Sequence, residues 1–224
     1  LEAFSYSVSH DLRAPLDALN GFSYVLTRQY GDKLDSQGKD LIQHIRTATR
    51  RMRELIDDLL NLSRVTTGAI HVDQVDLSAI ARSIADELCR SDPGRPVEFV
   101  IHDTPEAQGD ARLLRIVLEN LLQNSWKYTR SHPRANIEFG SQGRDGHTIY
   151  FVRDDGAGFD VRFADRLFRP FQRLHSQSEF QGSGIGLATV QRIISRHGGE
   201  IWVQSAIEKG ATFFFRLSGS EAGK

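Results

Sequence analysis

The chain has 224 residues, 39% hydrophobic and 25% charged, enough to bury a core and in the range of one large or two small domains. Its 28 basic and 29 acidic residues nearly cancel, which removes the global field that would hold nucleic acid or an anionic membrane surface. Cys89 is the single cysteine; this excludes an internal disulfide and a cysteine-rich zinc site and fits a reducing compartment, with the cytoplasm the expected location.

The first predicted element is a helix carrying the apolar stripe Leu1, Phe4, Val8, Leu12, Leu16, Leu19, Phe22 and Leu26, with Pro15 as a candidate kink. A turn is predicted over Tyr30 to Ser36. From Leu41 a second helix follows, in which Leu41, Ile45, Ala48, Met52, Leu55, Leu59 and Leu62 recur at alternating steps of four and three, the seam of a coiled coil or helical bundle. Two such helices make a hairpin too thin to bury both stripes, so pairing with a second copy into a four-helix bundle, and hence a homodimer, is expected.

After Gly68 the pattern changes to short β-rich runs, Ile70 to Val75, Val97 to Ile101, Asn136 to Gly140, Thr148 to Arg153, Glu200 to Gln204 and Thr212 to Leu217. Helical patterns lie between them at Leu77 to Cys89, Ala111 to Tyr128 and Gly186 to His197, the last closed by Gly198 and Gly199. The fold class expected is α+β, a helical hairpin over residues 1–67 followed by an α/β sandwich over 68–224, joined by a short linker at Arg64 to Ile70. No apolar run approaches the roughly 20 residues of a membrane span, and no signal peptide is apparent. The chain opens at Leu1, inside a helical pattern and without Met, so it is expected to be a piece of a longer protein with sensor or membrane parts upstream.

Four segments carry candidate chemistry. In SHDLRAPL, His10 projects roughly opposite Val8 and Leu12, because a helix advances about 100° per residue. Asp11 follows, a carboxylate able to accept the Nδ1 hydrogen and leave Nε2 free as a nucleophile; a surface histidine beside a chance aspartate fits the segment equally. In ENLLQNSWKYT, Asn120 and Asn124 stand four apart on one helix face, away from the apolar face of Leu114, Val117, Leu118, Leu121 and Leu122. Neutral amide oxygens suit Mg²⁺ that takes other ligands from water and nucleotide phosphates, with Lys127 placed to meet a phosphate; simple solvation of a polar face is the alternative.

DDGAGF follows a predicted strand. Gly156 and Gly158 permit a tight turn and close approach of a ligand, and the Asp154 carboxylate at the strand end can accept a hydrogen bond from an exocyclic amine such as adenine N6. The same residues also make an ordinary turn. GSGIGLA, Gly182 to Ala188, leads into a helix, where free N–H groups and the positive dipole end seat a phosphate. Its GxGxG spacing is not the dinucleotide fingerprint, and no Lys-Ser or Lys-Thr follows, so it is not a P-loop. The polar run QRLHSQSEFQ before it has the length of a lid over bound nucleotide. HExxH and GxSxG are both absent, so neither zinc-protease nor serine-hydrolase chemistry is expected.

Taken in order, His10, Asn124, Asp154 with Gly156 and Gly158, Phe168 and Phe171, then Gly182, Gly184 and Gly186 resemble the sensor histidine kinases of two-component signalling. The resemblance runs from SHDLRAPL through GATFFF, and NSWKYT and FQRLHS are most similar to the phytochrome-like and PAS-linked branch. It implies a dimerisation and phosphotransfer hairpin followed by an ATP-binding domain of the type shared with gyrase, Hsp90 and MutL. It also implies His10 as phosphoacceptor, Asp11 as its orienting base, Asn124 as Mg²⁺ ligand with Asn120 nearby, and Asp154 as reader of the adenine amine. Lys127 and Arg173 would meet phosphates, Tyr128 would border the adenine, Gly182, Gly184 and Gly186 would wrap the triphosphate, and Phe168 and Phe171 would anchor the lid. The expected partner is a response regulator receiver domain whose aspartate takes the phosphoryl group. The fourth residue after the histidine, Thr or Asn in many relatives, is Ala14 here, which implies weak or absent phosphatase activity toward that partner. An ATPase of the same fold without phosphotransfer, and a non-catalytic dimerisation module, are the competing readings.

Overall fold

The computed structural model describes residues 2–144, 146–172 and 184–218. The chain divides into two compact units, Leu1–Thr67 and Gly68–Lys224. The first is a hairpin of α1 (Glu2–Tyr30) and α2 (Ser36–Thr67). Pro15 lies inside α1, and the Asp35 carboxylate accepts the Gly38 N–H at 2.7 Å, capping the start of α2. Leu16, Ile56 and Leu60 form the hairpin's buried cluster, extended by buried Ser23 and Thr49, whose hydroxyls donate back to Leu19 O and Ile45 O. Arg13 pairs with Asp57 and Arg53 with Asp17 across the two helices.

The predicted seam is therefore not the inner contact of the hairpin. Leu12, Leu19, Phe22 and Leu26 on α1, and Leu41, Ile45, Met52 and Leu59 on α2, are exposed in the single chain, Phe22 by 68%. A pair of helices has one narrow contact line, and here Leu16, Thr49, Ile56 and Leu60 occupy it. The apolar residues beyond that line remain as an uncovered stripe.

The second unit holds β1 (Asp73–Val75), α3 (Leu77–Ser91), β2 (Val97–Ile101), β3 (Ala107–Gly109), α4 (Ala111–Tyr128), β4 (Ala135–Arg144) and β5 (His147–Asp154). A 3-10 turn (Val161–Phe163), α5 (Ala164–Leu167), α6 (Gly186–Arg196), β6 (Glu200–Ser205) and β7 (Ala211–Arg216) complete it. Five strands form a mixed sheet in the order β2-β4-β5-β7-β6, and β1 pairs with β3 apart from it. Only β2 and β4 run parallel; the other neighbours are antiparallel.

Side chains alternate across a strand, so Ile137, Phe139, Tyr150, Val152, Phe213 and Phe215, all buried, share the face that meets the helices. Fully burying each contributes on the order of 2 kcal/mol. Ile149, Phe151 and Phe214 form a second buried cluster on the opposite face, with Trp202 stacked on Phe214 at 5.7 Å. That double coverage explains why β5 is buried at nearly every position.

Two aspartates set the helix starts: Asp76 accepts the Ala79 N–H at 2.9 Å, and Asp110 accepts from Arg112 and Leu113. The Asp110 N–H in turn donates to His197 Nε2 at 3.0 Å. His197 Nδ1 lies 2.8 Å from Ile193 O. A carbonyl only accepts and an amide N–H only donates, so this buried ring is the neutral Nδ1–H tautomer, tying the end of α6 to the start of α4.

Several boundaries differ from expectation. The first strand is confined to Asp73–Val75, the expected linker residues 64–67 continue α2, and β3 and the 161–167 turns were not anticipated. β4 runs past Gly140 to Arg144 because β5 pairs with it along that whole length, from Ile137↔Asp154 to Arg144↔His147.

Candidate functional site

Asp154 ends β5 and is only 6% exposed. Its Oδ1 accepts the Gly156 N–H at 3.0 Å and the Ala211 N–H at 3.4 Å, and its Oδ2 accepts the Ser125 hydroxyl at 3.0 Å. Burial pushes this carboxyl above its ordinary value, and these three donors oppose the rise. The result is a buried acceptor held by donors from a turn, a strand and a helix.

The turn that follows is wedged between α4 and the β6–β7 hairpin. A Cβ at Gly156 would lie 2.6 Å from Tyr128 O, and the Ala157 N–H donates to that same carbonyl at 3.0 Å. The Glu208 N–H donates to Ala157 O at 2.7 Å, and the Phe159 N–H donates to Ser205 Oγ at 2.9 Å. Gly158 sits at φ 57° and Gly210 at φ 76°. A Cβ at Gly158 would overlap Ala206 O, and one at Gly210 would overlap Asp154 O.

Gly210→Ala should therefore both unfold more easily and displace Asp154. Left-handed backbone costs a non-glycine residue about 1–2 kcal/mol, and relieving the overlap brings the expected loss to about 3 kcal/mol. Denaturant unfolding of the variant would measure it.

On α4 the half-buried Asn120 donates through Nδ2 to Ile116 O at 2.8 Å, which leaves Oδ1 pointing away from the helix backbone. A Cβ at Gly186 would overlap that oxygen, so the first turn of α6 packs directly against it. The N-cap residue of α6, Ile185, makes no side-chain cap hydrogen bond, and the start of the helix carries the positive end of its dipole. Asn124 lies half-buried one turn further along α4. Lys127 Nζ rests over the Tyr128 ring at 4.2 Å. Gly184 O accepts the Phe171 N–H at 2.9 Å, which fixes Phe171, 59% exposed, beside the glycine segment. Phe168 caps the C-terminus of α5.

Helix α4 thus touches three expected site elements along its length: Gly186 at Asn120, Asp154 at Ser125, and Gly156 at Tyr128. From Asn120 to Tyr128 is about 12 Å of helix, a span suited to an extended nucleoside triphosphate. His10 and Asp11 lie in α1, and their side chains are outside the described residues. Arg173, Gly182 and all of the expected lid beyond Gln172 lie outside them too. Ser125, Gly210 and Ala211 were not singled out from the sequence. Ser125 carried a signal nonetheless, since it falls on the apolar face of Leu114, Leu118, Leu121 and Leu122, where a hydroxyl must find a partner.

Residues 109–221 match the family described as histidine kinase-, DNA gyrase B-, and HSP90-like ATPase. Residues 1–68 match the His Kinase A (phospho-acceptor) domain. The chain is 36% identical over 222 residues to cyanobacterial phytochrome B of Nostoc sp., covering 97% of this chain and 29% of that protein. It is 34% identical over 222 residues to the methanogenesis regulatory histidine kinase FilI of Methanothrix harundinacea, covering 97% and 24% respectively. Among solved structures, full-length ShkA in complex with AMPPNP shares the fold with a TM-score of 0.70 at 23% identity, covering 100% of this chain and 47% of that chain. The chain belongs to the histidine kinase-type ATPase family, with a phospho-acceptor hairpin ahead of the ATP-binding fold. It spans less than a third of the length of these curated relatives. Among the described residues, no helix is long and apolar enough to cross a membrane.

Proposed function

We propose that this chain is the catalytic region of an autophosphorylating protein histidine kinase. Unit 68–224 binds ATP with Mg²⁺, and the γ-phosphoryl group moves to His10 of the hairpin and from there to an aspartate of a response regulator receiver domain. The observation that carries this reading is the alignment of Asn120, Asp154, Gly156 and Gly186 along α4, in a chain that also bears a phospho-acceptor hairpin.

Each side chain then has a task. Asp154 accepts the adenine N6 hydrogen, and Tyr128 borders the base. Lys127 and Arg173 meet phosphate oxygens, the N–H groups around Gly182, Gly184 and Gly186 wrap the triphosphate, and Phe168 and Phe171 anchor the lid. The donor set near the phosphates fits Mg²⁺: Asn120 presents its amide oxygen at α6 because its nitrogen is already bonded to Ile116 O, and Asn124 follows on the same face. When bound, Mg²⁺ neutralises charge on the phosphates. Neutral His10, with Asp11 accepting its Nδ1 hydrogen, attacks through Nε2. The N–P bond forms, the bond from the γ-phosphorus to its bridging oxygen breaks, ADP leaves, and the Nδ1 proton passes to Asp11. Positioning supplies most of the acceleration.

The exposed apolar stripe of the hairpin supports a homodimer, in which a second copy covers Phe22, Leu41, Ile45 and Met52. A sensor domain upstream and a cytoplasmic location complete the proposal.

Incubation with γ-labelled ATP and Mg²⁺, followed by mass spectrometry at neutral pH, tests it. One acid-labile, base-stable phosphate on His10 is the expected result. ATP turnover without protein-bound phosphate would leave an ATPase, and failure to bind ATP would leave a dimerisation module. Because the Ala14 methyl cannot orient a water, a phosphorylated regulator should lose its phosphate at the same rate with and without this chain. Rapid ADP-stimulated loss would overturn that expectation.

A further inference from the structure

We propose that Ser125 is a positioning residue for nucleotide selection: its hydroxyl aims the Asp154 carboxylate so that one acceptor direction remains, matched to a purine carrying an exocyclic amine. The inference rests on the proposed base-reading role of Asp154 and adds to it the group that makes that role selective.

A carboxylate has two oxygens and about four lone-pair directions. Around Asp154, Oδ1 is occupied by the Gly156 and Ala211 N–H groups and one direction of Oδ2 by the Ser125 hydroxyl. One direction on Oδ2 is left, and one N–H of an amine fills it. The Gly156 and Ala211 donors both bind Oδ1. The Ser125 hydroxyl is the group that binds Oδ2, the oxygen left for the amine, and it occupies one of that oxygen's two lone-pair directions while resisting any turn of the carboxylate about its Cβ–Cγ bond. Ser125 is 1% exposed on the buried face of an 18-residue helix, so α4, which also carries Asn120 and Asn124, sets the carboxylate's orientation directly. A small residue chosen only to let α4 approach β5 would serve as well as alanine. The hydroxyl is what the geometry uses.

The test measures affinity of the full chain for ATP and for purine riboside triphosphate, which has hydrogen in place of the amine, by calorimetry with Mg²⁺. The parent chain should prefer ATP. Ser125→Ala should weaken ATP by about tenfold and leave the amine-free nucleotide unchanged, so that the preference collapses. Ser125→Thr keeps the hydroxyl and should keep the ratio, even if its methyl group weakens both nucleotides. Ser125→Cys, close in size with a weak donor, should fall between and serves if the alanine variant does not fold. Equal weakening of both nucleotides by Ser125→Ala or Ser125→Cys, with the ratio intact, would overturn the inference and leave the role of Asp154 standing. A parent chain with no preference for ATP would overturn both.

Discussion

Replacing His10 by glutamine is expected to abolish protein-bound phosphate while ATP binding is unchanged. Glutamine is a good helix former, so α1 should persist, and the residues aligned on α4 lie in the other unit. What is lost is the imidazole Nε2, the atom that forms the N–P bond; a carboxamide nitrogen is not nucleophilic because its lone pair is delocalised into the carbonyl. The expected readout is complete loss of acid-labile label with calorimetric ATP affinity equal to the parent's. Label persisting on another residue in the H10Q chain would reject His10 as the acceptor. Mixing H10Q with an ATP-binding variant such as D154N then reads the direction of transfer, since label appears in the mixture only if one subunit phosphorylates the other.

Asp154→Asn is expected to weaken ATP binding by about 2–4 kcal/mol, roughly 30- to 700-fold in Kd, without loss of stability at neutral pH. The carboxamide oxygen can keep the Gly156 and Ala211 N–H groups, and its nitrogen can donate to Ser125 Oγ in place of the present bond. That nitrogen then turns a hydrogen toward the adenine amine, donor against donor.

The stability side follows from the direction of the shift. Burial raises the Asp154 carboxyl, so the folded chain holds the proton more tightly than the unfolded one. Its contribution to stability is full below the unfolded value, about pH 4, and is lost as pH rises through the folded value. The asparagine variant does not titrate there, so its stability relative to the parent should rise from acid toward neutral pH. Calorimetric Tm values at both ends of that range check it; a variant that melts well below the parent at neutral pH would mean Asp154 is chiefly structural.

The helices were legible because their signals are local. An apolar period repeats within a few residues of what it specifies, and the span expected from it, Ala111 to Tyr128, is that of α4; the caps at Asp76 and Asp110 emerged only with the structure. The strand β3 was invisible for the opposite reason. Ala107, Gln108 and Gly109 have no strand propensity of their own and are extended because Asp73–Val75 pairs with them. Ser141 to Arg144 likewise look like loop, with Gly140 just before them and Gly143 among them, and become strand through β5.

The site divides along the same line. Asp154, Gly156, Asn120 and Gly186 could be picked out from residue types in short segments. Their convergence could not, since it depends on contacts such as Ser125 to Asp154, 29 residues apart, and Ala211 to Asp154, 57 apart. The amino-acid sequence by itself determined the helical hairpin, the change to a mixed α/β pattern after Gly68, and the residue types a nucleotide site requires, because periodicity and composition act over a few residues. Tertiary structure alone decided that Leu16, Ile56 and Leu60 close the hairpin while Phe22 and Met52 stay outside. It also decided which donors surround the Asp154 carboxylate, because orientation at a buried acceptor is set by groups that only folding brings within hydrogen-bond reach.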